Sequence, residues 1–367
     1  MGTVVATDIV TEVAFDSSRL SGAHHFNPAM IETDGRVLFA YRASLEWACG
    51  LYLCELDRNF QIKLGTDHRL RELIRDVAAL EDPRFFTCRG RLYLSFAAVR
   101  FGDREARVVQ CVGAMDRNAW NLEWACAVDY RDARSWEKNW VYFAGVCKEL
   151  WATYSVEGAC HRVMAIEIDG ESVKATMAHE SPYEFQWPWG EPRGGTNPVL
   201  VDGLYYTFFH SSLDRKGIGL VYHAGCYAFE PEPPFRLAAM SPAPLLAGDV
   251  VVETCGAKKA VVFPCGAALM DRVWTISSGY NDTRCKLYRM DHDRLVRSLS
   301  WRSTRCAVSV PGVVEDGEHP QPTQASVPLC IGTAISGGSP HVRPGTRGRI
   351  LRLPTSRHRG AGAGERT

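Results

Sequence analysis

Seven ionisable side chains at matched places in this sequence could act together. Glu81, Asp82 and Asp282 are carboxylates; Arg42, Lys138, Arg193 and His210 are basic. Carboxylates serve the cleavage of a glycosidic bond, because the departing oxygen needs a proton and the oxocarbenium-like transition state needs negative charge beside it. Basic side chains, together with glycine N–H groups, serve an anion such as phosphate. Arg193 lies among glycines in WPWGEPRGGTNP, and Trp187 and Trp189 precede it. Aromatic faces at a pocket mouth suit sugar rings, as they suit apolar bodies generally. Asn27, Asn139 and Asn197 add amides at corresponding places. Taken singly, each residue has a structural use. Asp82 before proline is a common turn starter, Asn27 and Asn197 before proline are the same, and Arg42 or His210 at a strand end can simply be satisfied locally.

What makes them one set is the elements that carry them. Five segments share one plan: a polar or proline-bearing start, a short strand, a tight turn and an aromatic-rich strand. They are NPAMIETDGRVLFAYRAS, EDPRFFTCRGRLYLSFAAV, KNWVYFAGVCKELWATYSV, NPVLVDGLYYTFFHSS and FPCGAALMDRVWTISSGY. With Asn27, Asp82, Asn139, Asn197 and Pro264 as equivalents, the steps are 55, 57, 58 and 67 residues. The turns align at Asp34-Gly35, Arg89-Gly90, Cys147-Lys148, Asp202-Gly203 and Asp271-Arg272, and three of the five carry the glycine that a tight hairpin favours. A strand-textured repeat of this length predicts an all-β, five-bladed β-propeller, one blade per repeat. The aligned strand ends would then converge on one axial pocket. One stretch reads otherwise: His68 to Leu80, HRLRELIRDVAAL, has helical apolar spacing and predicts a helix.

Composition excludes several classes. The chain has 367 residues, 46% hydrophobic and 23% charged, which are globular values. Lys+Arg and Asp+Glu balance at 42 each, so nothing attracts the whole chain to nucleic acid or to an anionic membrane. Residues 341–367 hold seven arginines against Glu365, a net +6, which leaves −6 on residues 1–340. Pro, Gly, Ser and Arg dominate from Val310 onward, and residues 302–367 are expected to be a mostly disordered tail behind a propeller over 1–301. The 13 cysteines, with no CxxC pair, are expected to be free thiols of a cytoplasmic protein, and no metal site is expected. Several, including Cys54, Cys111 and Cys147, read as small hydrophobes in apolar runs. The first residues lack the basic and apolar regions of a signal peptide. No cofactor is called for; inorganic phosphate is the one small co-substrate that the cations suit. A glycoside is the expected partner, with self-association left open.

In this order, NPAM…YRAS, EDPR, KNWVYF, GGTNPV…FFHSS, YHAGCYAFEPEPPF, VVFPCGA and SGYNDT resemble the family-130 glycoside phosphorylases and hydrolases over about residues 24–290. The resemblance implies a five-bladed propeller acting mainly on β-mannosides. It implies Asp82 as the catalytic acid, protonating through a sugar hydroxyl while phosphate attacks the anomeric carbon with inversion. It implies Asp282 as the second pocket carboxylate, and Arg42, Lys138 and His210 as residues of the phosphate side or the adjoining sugar subsite. Arg193 joins the phosphate set by its charge, and Asn27, Glu81, Asn139 and Trp189 are expected to touch substrate. The sequence departs from the phosphorylases where these carry Arg-Pro at the end of the third repeat's second strand. It reads WATYSVEGACHRVM there, with Arg162 further on and no following proline. Phosphorolysis, hydrolysis, glycosyl transfer and a non-catalytic sugar-binding propeller therefore all remain readings of the sequence.

Overall fold

A computed structural model describes residues 9–302, apart from 46–47, 102–104 and 253–257. The expected tail beyond residue 302 lies outside the described residues. Within them the protein is all-β with one short helix, His292–Ser298, whose first turn is capped by the Asp291 carboxylate accepting from the Arg294 amide at 2.8 Å.

The strands form antiparallel meanders in chain order. The first is His24–Thr33, Arg36–Leu45 and Ala48–Leu56, with His68–Arg69 at its edge. The second is Ala79–Cys88, Arg91–Phe101, Ala106–Asp116 and Asn121–Ala127. A single parallel pairing, Cys49 with Ala79, joins these two into one eight-stranded sheet. The third is Val141–Ala144, Leu150–Ser155, Cys160–Asp169 and Ser172–Pro182. The fourth is Val199–Val201, Leu204–Arg215, Gly219–Phe229 and Leu237–Met240, with Ser300–Trp301 on its outer edge. The fifth is Val262–Met270, Val273–Tyr280 and Arg284–Asp291, and its fourth strand comes from the other end of the chain, Val10–Val13.

Local chemistry explains the hairpins. At Asp34-Gly35, Arg89-Gly90, Asp202-Gly203 and Asp271-Arg272 both turn residues have positive φ, the two-residue turn that matches strand twist. Asp271-Arg272 does this without glycine: Arg272 at φ 59° is held by ion pairs to Asp202 and Asp293. The expected turn at Cys147-Lys148 is instead a longer loop, closed by the Gly145 amide donating to the Glu149 carbonyl, and Cys147 is exposed rather than packed.

Adjacent aromatics go to opposite faces of a strand, because side chains alternate along it. Phe85 packs toward the first meander with Leu38, Leu51 and Leu53, while Phe86 packs toward the third with Tyr142 and Met164. Tyr205 and Phe209 meet Phe143 of the third meander, while Tyr206 and Phe208 meet Trp274 and Ile276 of the fifth. Ala268 and Leu287 of the fifth pack on Phe39 and Tyr41 of the first. Each large side chain so buried contributes about 1.5–3 kcal/mol, so the core is a series of meander-to-meander seams.

The expected helix at 68–80 does not form. His68–Arg69 is a short strand, the Leu70 amide donates to the Leu51 carbonyl at 2.9 Å, and the next long strand already begins at Ala79. Leu70, Ile74 and Leu80 are buried between the first two meanders. An irregular crossing with Asp76 at φ 56° meets the apolar spacing instead, and tertiary burial outweighs helix propensity.

Candidate active site

Three of the aligned starts share an uncommon backbone. Asn27, Asp82 and Asn139 have φ of 51°, 54° and 69°, a left-handed region that Asn and Asp tolerate better than other side-chain-bearing residues. The first-strand registers slip at Phe26/Ala29 and at Glu81/Arg84. Such bulges re-aim a side chain, and here they turn Asn27 and Asp82 toward each other. Gly279 makes room for this, since a Cβ there would come 1.9 Å from Asn27 Oδ1.

Asp82 is 1% exposed and surrounded by positive partners. Asn27 Nδ2 donates to its Oδ1 at 2.7 Å; Arg42 Nη1 lies 3.7 Å from the same oxygen, and Lys138 Nζ 3.7 Å from Oδ2. Glu81 shares these cations, with Arg42 Nη2 at 2.7 Å from Oε1 and Lys138 Nζ at 3.8 Å from Oε2. Burial would raise the pKa of Asp82, but Lys138, Arg42 and Arg84, with the Asn27 hydrogen bond, outweigh it and hold the carboxyl down at about 2. Glu81 goes the other way: burial, then repulsion from Asp82, raise it against the pull of Arg42 and Lys138, with Asp282 adding to the rise. The two carboxyls share Arg42 and Lys138 and titrate as a pair.

The sign for stability follows. The folded pKa of Asp82 lies below the unfolded value of about 3.9, so its stabilisation is present above that value and is lost as pH falls toward about 2. Acid titration of unfolding should show wild-type protein losing about 2–3 kcal/mol across that window relative to Asp82→Asn. Parallel acid limbs for the two proteins would contradict the ion-paired Asp82.

Beneath the pair lies Arg84, itself 1% exposed. Its guanidinium donates to four oxygens: Gly195 O at 2.5 Å, Asp82 O at 3.1 Å, Asn139 Oδ1 at 3.1 Å and Gly194 O at 3.3 Å. It thereby ties the second meander to the third and to the loop before the fourth. Asn139 is buried, and its side-chain oxygen serves Arg84.

The fourth aligned position needs correcting. Arg193 and His210 pair across the strand, as Phe26 pairs with Arg42, so the residue equivalent to Asn27 is Gly194 and not Asn197. Gly194 and Gly195 approach the carbonyls of Asn139 and Phe208 so closely that a Cβ would lie 2.1 and 2.3 Å from them. Asn197, three residues on, is structural: its Nδ2 donates to Phe85 O, and its Oδ1 accepts from the Tyr142 amide at 3.1 Å.

His210 is buried, parallel to the Tyr222 ring and tilted against that of Phe263, with ring centres 6.0 and 4.1 Å away. Burial, then Arg84 and Arg193, push its pKa well below the ordinary value. It is therefore a neutral imidazole, not the cation that its sequence position suggested; its Nδ1 has no hydrogen-bond partner among the described residues. Arg193 is exposed, with Nε 3.9 Å from Glu157 Oε1. Asp282 has φ 53° and acts electrostatically on Glu81 and Tyr222, so it faces the same site. Trp189 packs on Trp187, whose Nε1 donates to Ser211 Oγ at 2.8 Å; these contacts do not bring it to the carboxylates. Arg162 donates to Glu157 O and to Ser155 Oγ and pairs with Glu180, outside the cluster.

The sequence reading missed Glu137. It is buried, and its carboxylate accepts from the Arg134 amide at 2.7 Å, Trp140 Nε1 at 3.1 Å and the Tyr154 hydroxyl at 3.1 Å. It anchors the segment that presents Lys138. What marks it is its burial beside Lys138, which residue type alone does not show. Among the described residues no three His, Cys, Asp or Glu side chains gather as metal ligands do, and no helix is long and apolar enough to cross a membrane. The ten described cysteines are free thiols.

A buried, cation-held carboxylate beside a second carboxyl is equipped for proton transfer next to a bound anion. Residues 6–300 match the protein family described as beta-1,4-mannooligosaccharide phosphorylase. The chain belongs to glycoside hydrolase family 130. Family 130 is one of mannoside phosphorylases that also contains glycoside hydrolases, so the protein is an enzyme of that group. Solved structures agree in fold. A β-1,2-mannobiose phosphorylase from Listeria innocua, bound to β-1,2-mannobiose, superposes with a TM-score of 0.55 at 14% identity, over 79% of this chain and 92% of that one. A glycosyl hydrolase from Bacteroides ovatus gives 0.53 at 13% identity, over 74% and 85%. A GDP-Man-dependent mannosyltransferase from Leishmania mexicana gives 0.50 at 13%, over 77% and 88%. At such identities the likeness is one of fold alone. The sequence matches no curated protein.

Proposed function

We propose that this family-130 member is an inverting phosphorylase of β-mannosides, with Asp82 as general acid. The observation that carries this is the setting of Asp82: both carboxylate oxygens buried, one on Asn27 and Arg42, the other on Lys138. In the step proposed, a phosphate oxygen forms a bond to the anomeric carbon, the carbon–oxygen bond to the leaving sugar breaks, and Asp82 supplies that oxygen's proton through a sugar hydroxyl, as the family resemblance implies. At a pKa of about 2 the resting carboxyl is ionised. An anion drawn to Arg42, Lys138 and Arg193 offsets the charges that hold it down, so phosphate binding raises Asp82 toward the protonated form that a general acid needs. His210 offers a neutral hydrogen bond to the phosphate. Asn27, Glu81 and Asp282 are assigned to the sugar; Asn139, whose side-chain oxygen serves Arg84, and Trp189, which packs on Trp187, are not. A hydrolase instead needs a base about 6.5–9.5 Å from its acid, and Asp282 is the candidate.

The five meanders are read as blades of one closed propeller. The support is that all five first strands line a single cavity of about 440 Å³, through Met30, Phe85, Tyr142, Val199 and Cys265 among others. A cytoplasmic setting is read from the free thiols.

The test is mannose-1-phosphate release from β-1,4- and β-1,2-mannobiose with and without phosphate. Turnover should require phosphate; release of mannose at the same rate without it would remove the phosphorylase reading. Glu81→Gln takes away the repulsion that favours a protonated Asp82, so the basic limb of its kcat profile should move to lower pH by about one unit. An unshifted limb would remove Glu81 from the proton pathway.

A further inference from the structure

Three cations act on Asp82, and two of them are placed by regular structure. Arg42 lies between Phe26 and Leu51 in the first meander, and Arg84 lies opposite Ser95 in the second. Lys138 has no such ladder. It precedes the first strand of the third meander, and among the described residues its backbone bonds to no other backbone group. Its ammonium nonetheless stands 3.7 Å from Asp82 Oδ2 and 3.8 Å from Glu81 Oε2. A flexible four-carbon stem on an irregular segment does not hold a point charge there by itself.

The residue before it supplies what the ladder does not. Glu137 is buried, and its carboxylate accepts from three neutral donors. The Arg134 amide and the Tyr154 hydroxyl meet Oε1 at 2.7 and 3.1 Å, and Trp140 Nε1 meets Oε2 at 3.1 Å. Arg134 and Trp140 stand three residues before and after Glu137, so one carboxylate closes both ends of the segment that holds Lys138. The Glu137 amide donates to the Val108 carbonyl at 2.8 Å, which fastens the same segment to the second meander. Tyr130, Trp140 and Tyr154 pack on one another with ring centres 5.6 to 5.8 Å apart, so the donors are themselves fixed. Burying a carboxylate is costly unless its oxygens are bonded, and here both are. Trp136, on the other side, is exposed and lines a cavity of about 340 Å³ with Lys138 and Arg193, two of the cations assigned to phosphate. Glu137 is not among the residues that line it.

We infer that Glu137 is the positioning residue of the Lys138 ammonium: its carboxylate stands in for the missing ladder and keeps that charge beside both Asp82 and the anion. Among the charged neighbours of Asp82, Lys138 does most to hold its carboxyl down, ahead of Arg42 and Arg84, while Glu81 repels it. Phosphate affinity therefore also depends on Glu137; that part rests on the phosphorylase reading above, and the Asp82 part does not. Glutamine has the shape of glutamate but only one oxygen. Its amide N–H would meet the Trp140 indole N–H, donor against donor, so the segment shifts and carries Lys138 with it.

In a calorimeter, Glu137→Gln should weaken the binding of inorganic phosphate about five- to tenfold. In a Lys138→Met background the same change should add nothing, since no ammonium is left to place. The pH at which Asp82 takes up its proton should rise by about one unit. It is read as the difference in acid unfolding between proteins with and without Asp82→Asn. Trp140→Phe removes only the indole donor and should move both readings the same way by less; it carries the test if Glu137→Gln does not fold. An equal phosphate loss in the Lys138→Met background marks Glu137 as merely structural and overturns the inference. So does an acid limb, or a phosphate affinity, that neither variant moves. If wild type binds no phosphate, the phosphorylase reading falls and the acid limb alone decides: a shift supports the positioning role, and no shift overturns it.

Discussion

Asp82→Asn should lower kcat by about 10²–10⁴, the usual worth of a positioned acid, while the protein still folds cooperatively. The replacement keeps the side chain's volume and its ability to accept from Asn27. It removes one of the two carboxylates that Arg42 and Lys138 share, so less negative charge opposes an incoming anion. Phosphate should therefore bind at least as well to the variant as to wild type. That combination, turnover lost and anion affinity kept, separates loss of the acid from collapse of the site. Calorimetry of phosphate binding, together with steady-state rates on mannobiose, reads both. Turnover within a few-fold of wild type would remove Asp82 from the chemistry, and parallel loss of phosphate binding would make it structural.

Arg84→Met should be the most destabilising substitution near the site. The guanidinium has no solvent and donates to oxygens of three chain segments, Asp82, Asn139 and the Gly194–Gly195 pair. Methionine fills similar space but strands those carbonyls in the interior. Breaking a buried charged network costs about 3–5 kcal/mol, against a typical total of about 5–15 kcal/mol, and in a protein of this size the melting temperature should fall by about 10 °C. Arg84→Lys should rescue little, because an ammonium cannot reach oxygens fanned out in a plane. A melting temperature within about 2 °C of wild type for Arg84→Met would show that water replaces the guanidinium at no great cost. Activity should fall with stability here, since the carbonyl of Asp82 is one of the four acceptors.

Much of this was legible because turn chemistry is local. Asp-Gly and Arg-Gly pairs fix two-residue hairpins whatever surrounds them, so the repeat could be phased by its turns. Asn27, Asp82 and Asn139 could be aligned because a left-handed bulge selects Asn or Asp. The phase was lost at the fourth repeat, where the same position is Gly194. With no side chain to match, the nearby Asn-Pro attracted the alignment three residues too far. The apolar period of residues 68–80 misled for a different reason. An irregular crossing that must bury Leu70 and Ile74 between two meanders shows helical spacing over so short a stretch. The charge state of His210 was out of reach, because it depends on burial beside Arg84 and Arg193 and not on residue type. Trp136 and Glu137 were visible as letters, but only the pattern of burial tells which of them faces the cavity.

The pairing of Val10–Val13 with Arg284–Asp291 also has a meaning in time. The ribosome makes the former strand some 278 residues before the latter. At about 5–20 residues per second the early strand waits roughly 15–55 s for its partner. Through that interval the outer strand of the fifth sheet exists without the three strands it completes, and the nascent chain carries it unmatched. Mutations in Val10–Val13 should thus weigh more on yield from the cell than on the chemistry of the finished enzyme.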